Sequence, residues 1–308
     1  METKYTATMN KKIFKGIMPA LITPFDVNGN LKKNSVSPLI DWLLSQGVKG
    51  FYILGGTGEG PALRKELRME MAEACIEANK KRSVIIDHIG APNIHDAIEL
   101  TRHADSIGVD AVSSLPPTYS FHYTEDQLVD YYNAIADNTD KPVIVYATSM
   151  LGGINVLSLM GRLLKTPNII GAKFTMPDYF LMHKITELNE GNINVINGPD
   201  ETLLCGLAMG ADGGIGTTYN VMANWFVKLY DAFQAGQFKE AQSWQYRINK
   251  VIDALIRHSS SGAIMAVKET LNMMGFDTGN AIFPANPFTK EESLSMKKEL
   301  ESLGLSFN

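Results

Sequence analysis

Cysteine is scarce in this chain. Cys75 and Cys205 are the only two in 308 residues, and neither has a second cysteine or a histidine at metal-ligand spacing. A disulfide framework is therefore not expected. Each stands in a helical-looking stretch and reads as a small core residue of a reduced, cytoplasmic protein. Long apolar runs are missing too, so no membrane span is expected. Met1 to Lys15 is polar and lysine-bearing, without the apolar stretch of a secretory signal. Charge of either sign is in no great excess. The net charge is −5 and the pI about 5.7, which calls for neither nucleic acid nor an anionic membrane as partner.

What the chain does have is alternation. With 45% hydrophobic residues, its length suits one large domain, or a barrel with an appendage. Strand-like runs are predicted at 17–22, 50–54, 83–88, 110–115, 142–146, 193–197 and 211–215, with a further one opening at Ile169. Between and after them, helical spacing is predicted at 35–44, 65–79, 93–107, 124–136, 155–164, 178–189, 201–209 and 221–235. Eight strand–helix units in roughly 220 residues imply a parallel sheet closed into a (β/α)8 TIM barrel. A doubly wound open sheet is the alternative, weakened because no Gly-x-Gly-x-x-Gly follows the first strand. After Gly236 only helical patterns remain, at 238–257, 262–274 and 290–303. Residues 1–235 are thus expected to form the barrel and 236–308 a C-terminal helical region packed on it as one unit.

In such a barrel the chemistry is built at the C-terminal strand ends. The sixth strand carries Lys173, in Gly171-Ala172-Lys173-Phe174-Thr175. The strand could simply stop there, with the amine in water. Alternatively it places an amine in a dry pocket, where a neutral nitrogen is favoured and can attack a carbonyl to form a Schiff base. The other ends are polar or glycine-rich: Gly55-Gly56-Thr57-Gly58-Glu59-Gly60, His88-Ile89-Gly90, Tyr146, Asn197-Gly198-Pro199-Asp200-Glu201 and Gly213-Gly214-Ile215-Gly216-Thr217-Thr218-Tyr219. The turn at Gly55 offers backbone N–H groups to a small anion, or is merely tight. It is not a P-loop, since no Gly-Lys-Ser/Thr follows. His88 reads first as a hydrogen-bonded structural histidine, and Asp200 and Glu201 could serve only to charge a helix start. Convergence of so many such ends on one barrel mouth favours an active site.

These residues carry a resemblance. The chain resembles the N-acetylneuraminate lyase and dihydrodipicolinate synthase superfamily, the pyruvate-dependent class I aldolases, from about Lys15 to Leu303. The marks are Met18-Pro19-Ala20-Leu21-Ile22-Thr23-Pro24-Phe25, Gly55-Gly56-Thr57-Gly58-Glu59, the Tyr146 strand and Gly171-Ala172-Lys173. The segments Asp87-His88-Ile89-Gly90, Asn197 to Glu201 and Gly213 to Asn220 are similar to the lyase branch. The synthase branch has an arginine five residues after the strand-five tyrosine, where this chain has Leu151. Two positions depart from the family pattern. Gly56 stands where a hydroxyl residue is usual, and Ser120, in Pro117-Thr118-Tyr119-Ser120, replaces a second tyrosine.

The resemblance implies cleavage of N-acetylneuraminate to pyruvate and N-acetylmannosamine by a homotetramer, with no metal or organic cofactor. It implies Lys173 as the Schiff-base amine and Tyr146 as general base. Gly56 and Thr57 would hold the keto-acid carboxylate, and Thr175, Gly198, Asp200, Glu201, Gly216 and Thr217 the sugar hydroxyls. Glu59 is assigned to structure at the start of the following helix. Dihydrodipicolinate synthesis, cleavage of another 2-keto-3-deoxy sugar acid, and a non-catalytic keto-acid sensor remain as alternatives.

Overall fold

In a computed structural model describing residues 10–117, 122–282 and 284–307, strands and helices alternate from the N-terminus. The order is β1 (Gly16–Pro19), α1 (Lys33–Ser45), β2 (Gly50–Ile53), α2 (Lys65–Asn79), β3 (Val84–His88), α3 (Ile94–Ile107), β4 (Ala111–Ser114) and α4 (Glu125–Ala136). It continues with β5 (Val143–Thr148), α5 (Val156–Leu163), β6 (Ile169–Thr175), α6 (Tyr179–Thr186), β7 (Asn194–Asn197), α7 (Leu203–Ala208), β8 (Gly213–Gly216) and α8 (Tyr219–Gln234). The C-terminal region adds α9 (Phe238–His258), α10 (Ala263–Met273) and α11 (Lys290–Ser302).

All strand pairs are parallel, in the order β1-β8-β7-β6-β5-β4-β3-β2. The parallel bridge Ala20↔Tyr52 brings the chain after β1 onto β2 and closes the barrel. This excludes the open doubly wound sheet. Because the strands are covered by helices outside and by one another inside, they read as apolar runs rather than as alternations. Two apolar layers result. Met18, Tyr52, Ile86, Ala111, Ile144, Ile170, Ile196 and Ile215 fill the barrel interior, with Phe14 beside them. A larger cluster lies between strands and helices. Side-chain caps start several helices where the chain supplies them. Asn93 accepts from the His95 amide, and Thr124 and Gln127 form a capping box.

Several expected boundaries shift for local reasons. β1 ends at Pro19, not Ile22, because the chain leaves β8 there to cross to β2: the Ala20 amide donates to Gly216 O and the Leu21 amide to Tyr52 O, each at 2.9 Å. The helix expected at 201–209 divides into a 3-10 turn, Asp200–Thr202, and the short α7. The helix expected to 189 stops at Thr186, with Asn189 and Glu190 left-handed at φ 51° and 57°. Cys75 is buried as expected, but Cys205 is exposed on α7, which corrects its reading as a core residue.

α9 lies along α8 and also touches the Asp200–Thr202 turn. The C-terminal helices therefore reach the barrel mouth as well as its flank.

Candidate active site

Lys173 is the fifth residue of β6, and what aims it inward is a defect in the sheet. Val143 pairs with Ile169, but Ile144 pairs with Gly171, so Ile170 is an extra residue on β6. Such a bulge inverts the alternation beyond it. Ile170 joins the interior layer, whereas Ala172 and Phe174 join the outer one. Lys173, level with Tyr146 on β5, then shares the inner face. Without the bulge the period of two would point Lys173 out among the helices. Gly171 is required at this point, because a Cβ there would stand 1.8 Å from Asn194 O on β7.

The Lys173 side chain is 5% exposed. Its Nζ lies 3.8 Å from the Tyr146 ring centroid and 4.5 Å from that of Tyr52. The two phenols differ in acidity. For Tyr52, burial and the neighbouring Tyr146 push the hydroxyl well above its ordinary value, and the group donates to Ser113 Oγ at 3.0 Å. For Tyr146, burial works in the same direction, but the Lys173 ammonium beside it outweighs it and leaves the phenol below its usual value. Tyr146 is thus the phenol of the pair that gives up its proton more readily, as a tuned acid–base group must.

His88 stands edge-on to Tyr146. Its Nε2 accepts from the Leu115 amide at 3.0 Å, so the Nδ1–H donates to Leu54 O at 3.1 Å. Burial, with the Arg68 and Lys173 charges, holds it well below the usual histidine range. It is a neutral strut with both nitrogens occupied.

Beside the lysine a cavity of about 450 Å³ opens, lined by Thr175, Gly198, Asp200, Glu201 and Thr217 on one side and by Ile252, Ile256 and Ala263 of the C-terminal helices on the other. Asp200 Oδ2 accepts from the Thr218 amide (2.7 Å) and hydroxyl (2.6 Å). Burial pushes its pKa up to about 6 in spite of those bonds. Neither bond uses Oδ1. The buried Thr175 hydroxyl has no hydrogen-bond partner among the described residues. One wall is therefore polar with spare capacity and the other apolar.

The dihydrodipicolinate synthetase family model matches residues 13–303. This chain belongs to that family. N-acetylneuraminate lyase of Rhizobium meliloti (strain 1021) is 34% identical to it over 282 residues, covering 92% of each chain. A catalytic-lysine mutant of the sialic acid aldolase of Ruminococcus gnavus superposes with a TM-score of 0.90 at 28% identity, covering 96% of this chain and 97% of that one. Dihydrodipicolinate synthase of Bacillus anthracis superposes at 0.86 with 30% identity, covering 94% of this chain and 98% of that one.

In this family member, most residues singled out from the sequence meet at one mouth. Thr57 and Thr217 are joined across it by their hydroxyls at 2.7 Å. The Glu59 and Gly60 amides close the β2 turn on Gly56 O (3.0 Å) and Gly55 O (3.1 Å), so the Gly56 and Thr57 amides stand outside those turn bonds. Gly56 faces open space, with nothing within 4 Å of where a Cβ would be. Gly198 and Gly216 are spacers: a Cβ would fall 1.9 Å from Thr175 Oγ1 at the first and 2.1 Å from Asp200 Oδ1 at the second. Of the two, only Gly198 lines the cavity. Leu151 is 3% exposed in the outer apolar layer and does not line it. Glu59 makes no helix cap and is turned toward α10. Thr118, Tyr119 and Ser120 lie outside the described residues. The sequence reading missed Tyr52 and Thr218. For Tyr52 the only signal was an aromatic inside the apolar run of β2; for Thr218 it was a second hydroxyl beside Thr217.

Proposed function

We propose that this chain cleaves N-acetylneuraminate to pyruvate and N-acetylmannosamine through a Schiff base on Lys173. Lys173 Nζ attacks the C2 ketone, and loss of water leaves an iminium. Tyr146, as phenolate, takes the proton of the C4 hydroxyl. The C3–C4 bond breaks, the aldehyde of N-acetylmannosamine leaves, and the electron pair moves through C2–C3 to the nitrogen as an enamine. Reprotonation at C3 by Tyr146 and addition of water release pyruvate and the free amine. The backbone amides of Gly56 and Thr57, with the Thr57 hydroxyl, take the carboxylate. Thr175, Asp200, Glu201 and Thr217 take the sugar hydroxyls, with Gly198 and Gly216 leaving room for them. The reading calls for no metal or organic cofactor and includes a cytoplasmic homotetramer.

The observation carrying this reading is the enclosed amine over the more acidic of two phenols, beside a cavity lined by two carboxylates. Condensation with aspartate semialdehyde is the second reading, raised by the likeness to a synthase. It suits the cavity less well, because Asp200 and Glu201 would repel a second substrate carboxylate, whereas carboxylates accept hydroxyls well. Turnover of N-acetylneuraminate coupled to pyruvate detection tests the proposal. Lys173→Ala should abolish turnover. Tyr146→Phe should cut kcat by about 10²–10⁴ while borohydride still traps pyruvate on Lys173. A natural protein that makes dihydrodipicolinate as fast as it cleaves the sugar acid overturns the choice of substrate.

A further inference from the structure

Glu59 and Lys268 form an ion pair at 2.7 Å, and both side chains are about 1% exposed. They stand 209 residues apart in the sequence. Glu59 closes the turn that carries Gly56 and Thr57, and it does so at φ +58°, a left-handed conformation that a glutamate holds only when its surroundings fix it. Its second oxygen accepts from the Ile282 amide at 2.6 Å. Lys268 Nζ also donates to Asn280 O at 2.9 Å and lies 4.3 Å from the Phe25 ring centroid. The Thr23 hydroxyl holds the same turn from the other side, donating to Gly58 O at 2.6 Å.

Two buried charges are a poor way to gain stability, since an apolar pair of similar volume does as well or better. Such a pair does give a fixed position. We propose that the Glu59–Lys268 pair locks the Gly56–Thr57 cradle onto α10, so that Lys268, outside the cavity, is a positioning residue for the substrate carboxylate. This rests on the reading above, in which that cradle takes the carboxylate. α10 suits the task because Ala263, at its first turn, lines the sugar-side cavity. Ala263 and Lys268 are five positions apart, about 7.5 Å along one helix, so a single rigid element sets both ends of the site. Burial, against the opposing pull of Glu59, brings the Lys268 pKa down to about 8.

The test is borohydride trapping of Lys173 over a range of pyruvate concentrations, on the full chain, with thermal midpoints measured in parallel. Lys268→Met should raise the half-saturating pyruvate about tenfold and leave the trapping rate at saturation within about twofold, a split that general destabilisation does not produce. Lys268→Arg keeps the charge and should recover most of the affinity. If Lys268→Met does not fold, Glu59→Gln/Lys268→Met removes both charges, leaves none orphaned, and should show the same rise. A folded variant of either kind with half-saturation within about twofold of the natural protein overturns the proposal, as does a loss confined to the saturating rate. A natural protein that traps no pyruvate refutes the proposed reaction instead. Amide exchange of residues 55–60 then decides the lock: Lys268→Met should speed it about tenfold, and unchanged exchange overturns it.

Discussion

Gly171 is where the architecture can be tested most sharply. A methyl group added there would sit 1.8 Å from Asn194 O and 2.6 Å from Asn194 C, both backbone atoms of β7. No rotamer relieves that clash, so β6 and β7 must part by about 1.6 Å to restore ordinary carbon–oxygen contact. Overpacking of a rigid core costs about 1–3 kcal/mol, and one or two strained ladder hydrogen bonds add about 1 kcal/mol each. Gly171→Ala should therefore destabilise by about 2–5 kcal/mol. Gly56→Ala is the matched control, since nothing lies within 4 Å of its Cβ position and its φ is not left-handed. It should fall within about 0.5 kcal/mol of the natural protein. Urea midpoints at unchanged slope read both values. Lys173 lies two residues beyond Gly171, so Gly171→Ala should also lower pyruvate trapping at least about tenfold in the protein that remains folded. A Gly171→Ala protein within about 1 kcal/mol of the natural one would falsify the claim that close strand approach fixes the bulge.

Three further outcomes are expected. Asp200 has a folded pKa of about 6 against 3.8 for the free carboxyl, so the folded state binds the extra proton, and this residue adds stability as pH falls from about 7 toward 4. The stability of the natural protein relative to Asp200→Asn should accordingly rise by about 2 kcal/mol between pH 8 and pH 4.5; equal differences at both pH values refute the assignment. Leu151→Arg buries an unpaired cation in the outer apolar layer, so it should lose about 3 kcal/mol or more and gain no condensation with aspartate semialdehyde; a natural melting midpoint with new synthase activity contradicts this. A thiol reagent should modify Cys205 rapidly in the native protein and Cys75 only after denaturation, because Cys205 is exposed while Cys75 is buried with its thiol pushed well up. Native modification at Cys75 argues against that packing.

The periodicity in the sequence carried the barrel because each element has its own signature there. Strands covered on both sides are unbroken apolar runs, whereas the covering helices are apolar on one face only. The same uniformity hid detail. In β2 both faces are buried, so nothing local showed that Tyr52, rather than Phe51 or Ile53, faces the lysine. In β6 simple alternation from the inward Ile170 would have sent Lys173 outward, and the extra residue that corrects it shows only in the pairing with β5. Glu59 reads locally as placed for the helix after it, because its partner lies on α10 and no local pattern links them. Leu151 was legible as the absence of an arginine but not as a core residue, since the direction of a side chain in a 3-10 turn depends on what packs over it.

The surroundings of Lys173 show how one contact can serve both partners. A carboxylate against the amine would stabilise its protonated form strongly, and breaking that pair would leave a buried charge alone, a cost of several kcal/mol. The barrel instead gives the ammonium two aromatic faces, an attraction of about 0.5–2 kcal/mol. For the amine to attack a carbonyl it must give up its proton, and an aromatic face is the cheaper partner to lose. The nearby acids are kept apart: Asp200 is bound by Thr218 through one oxygen, and Asp87, buried and pushed up to about 7, sits on the outward parity of β3 with the Arg68 charge acting on it. The same ammonium pulls Tyr146 below its usual value while Tyr52 is driven the other way. A cation between two chemically identical phenols thus makes them unequal, and the one on the strand beside it gives up its proton more readily.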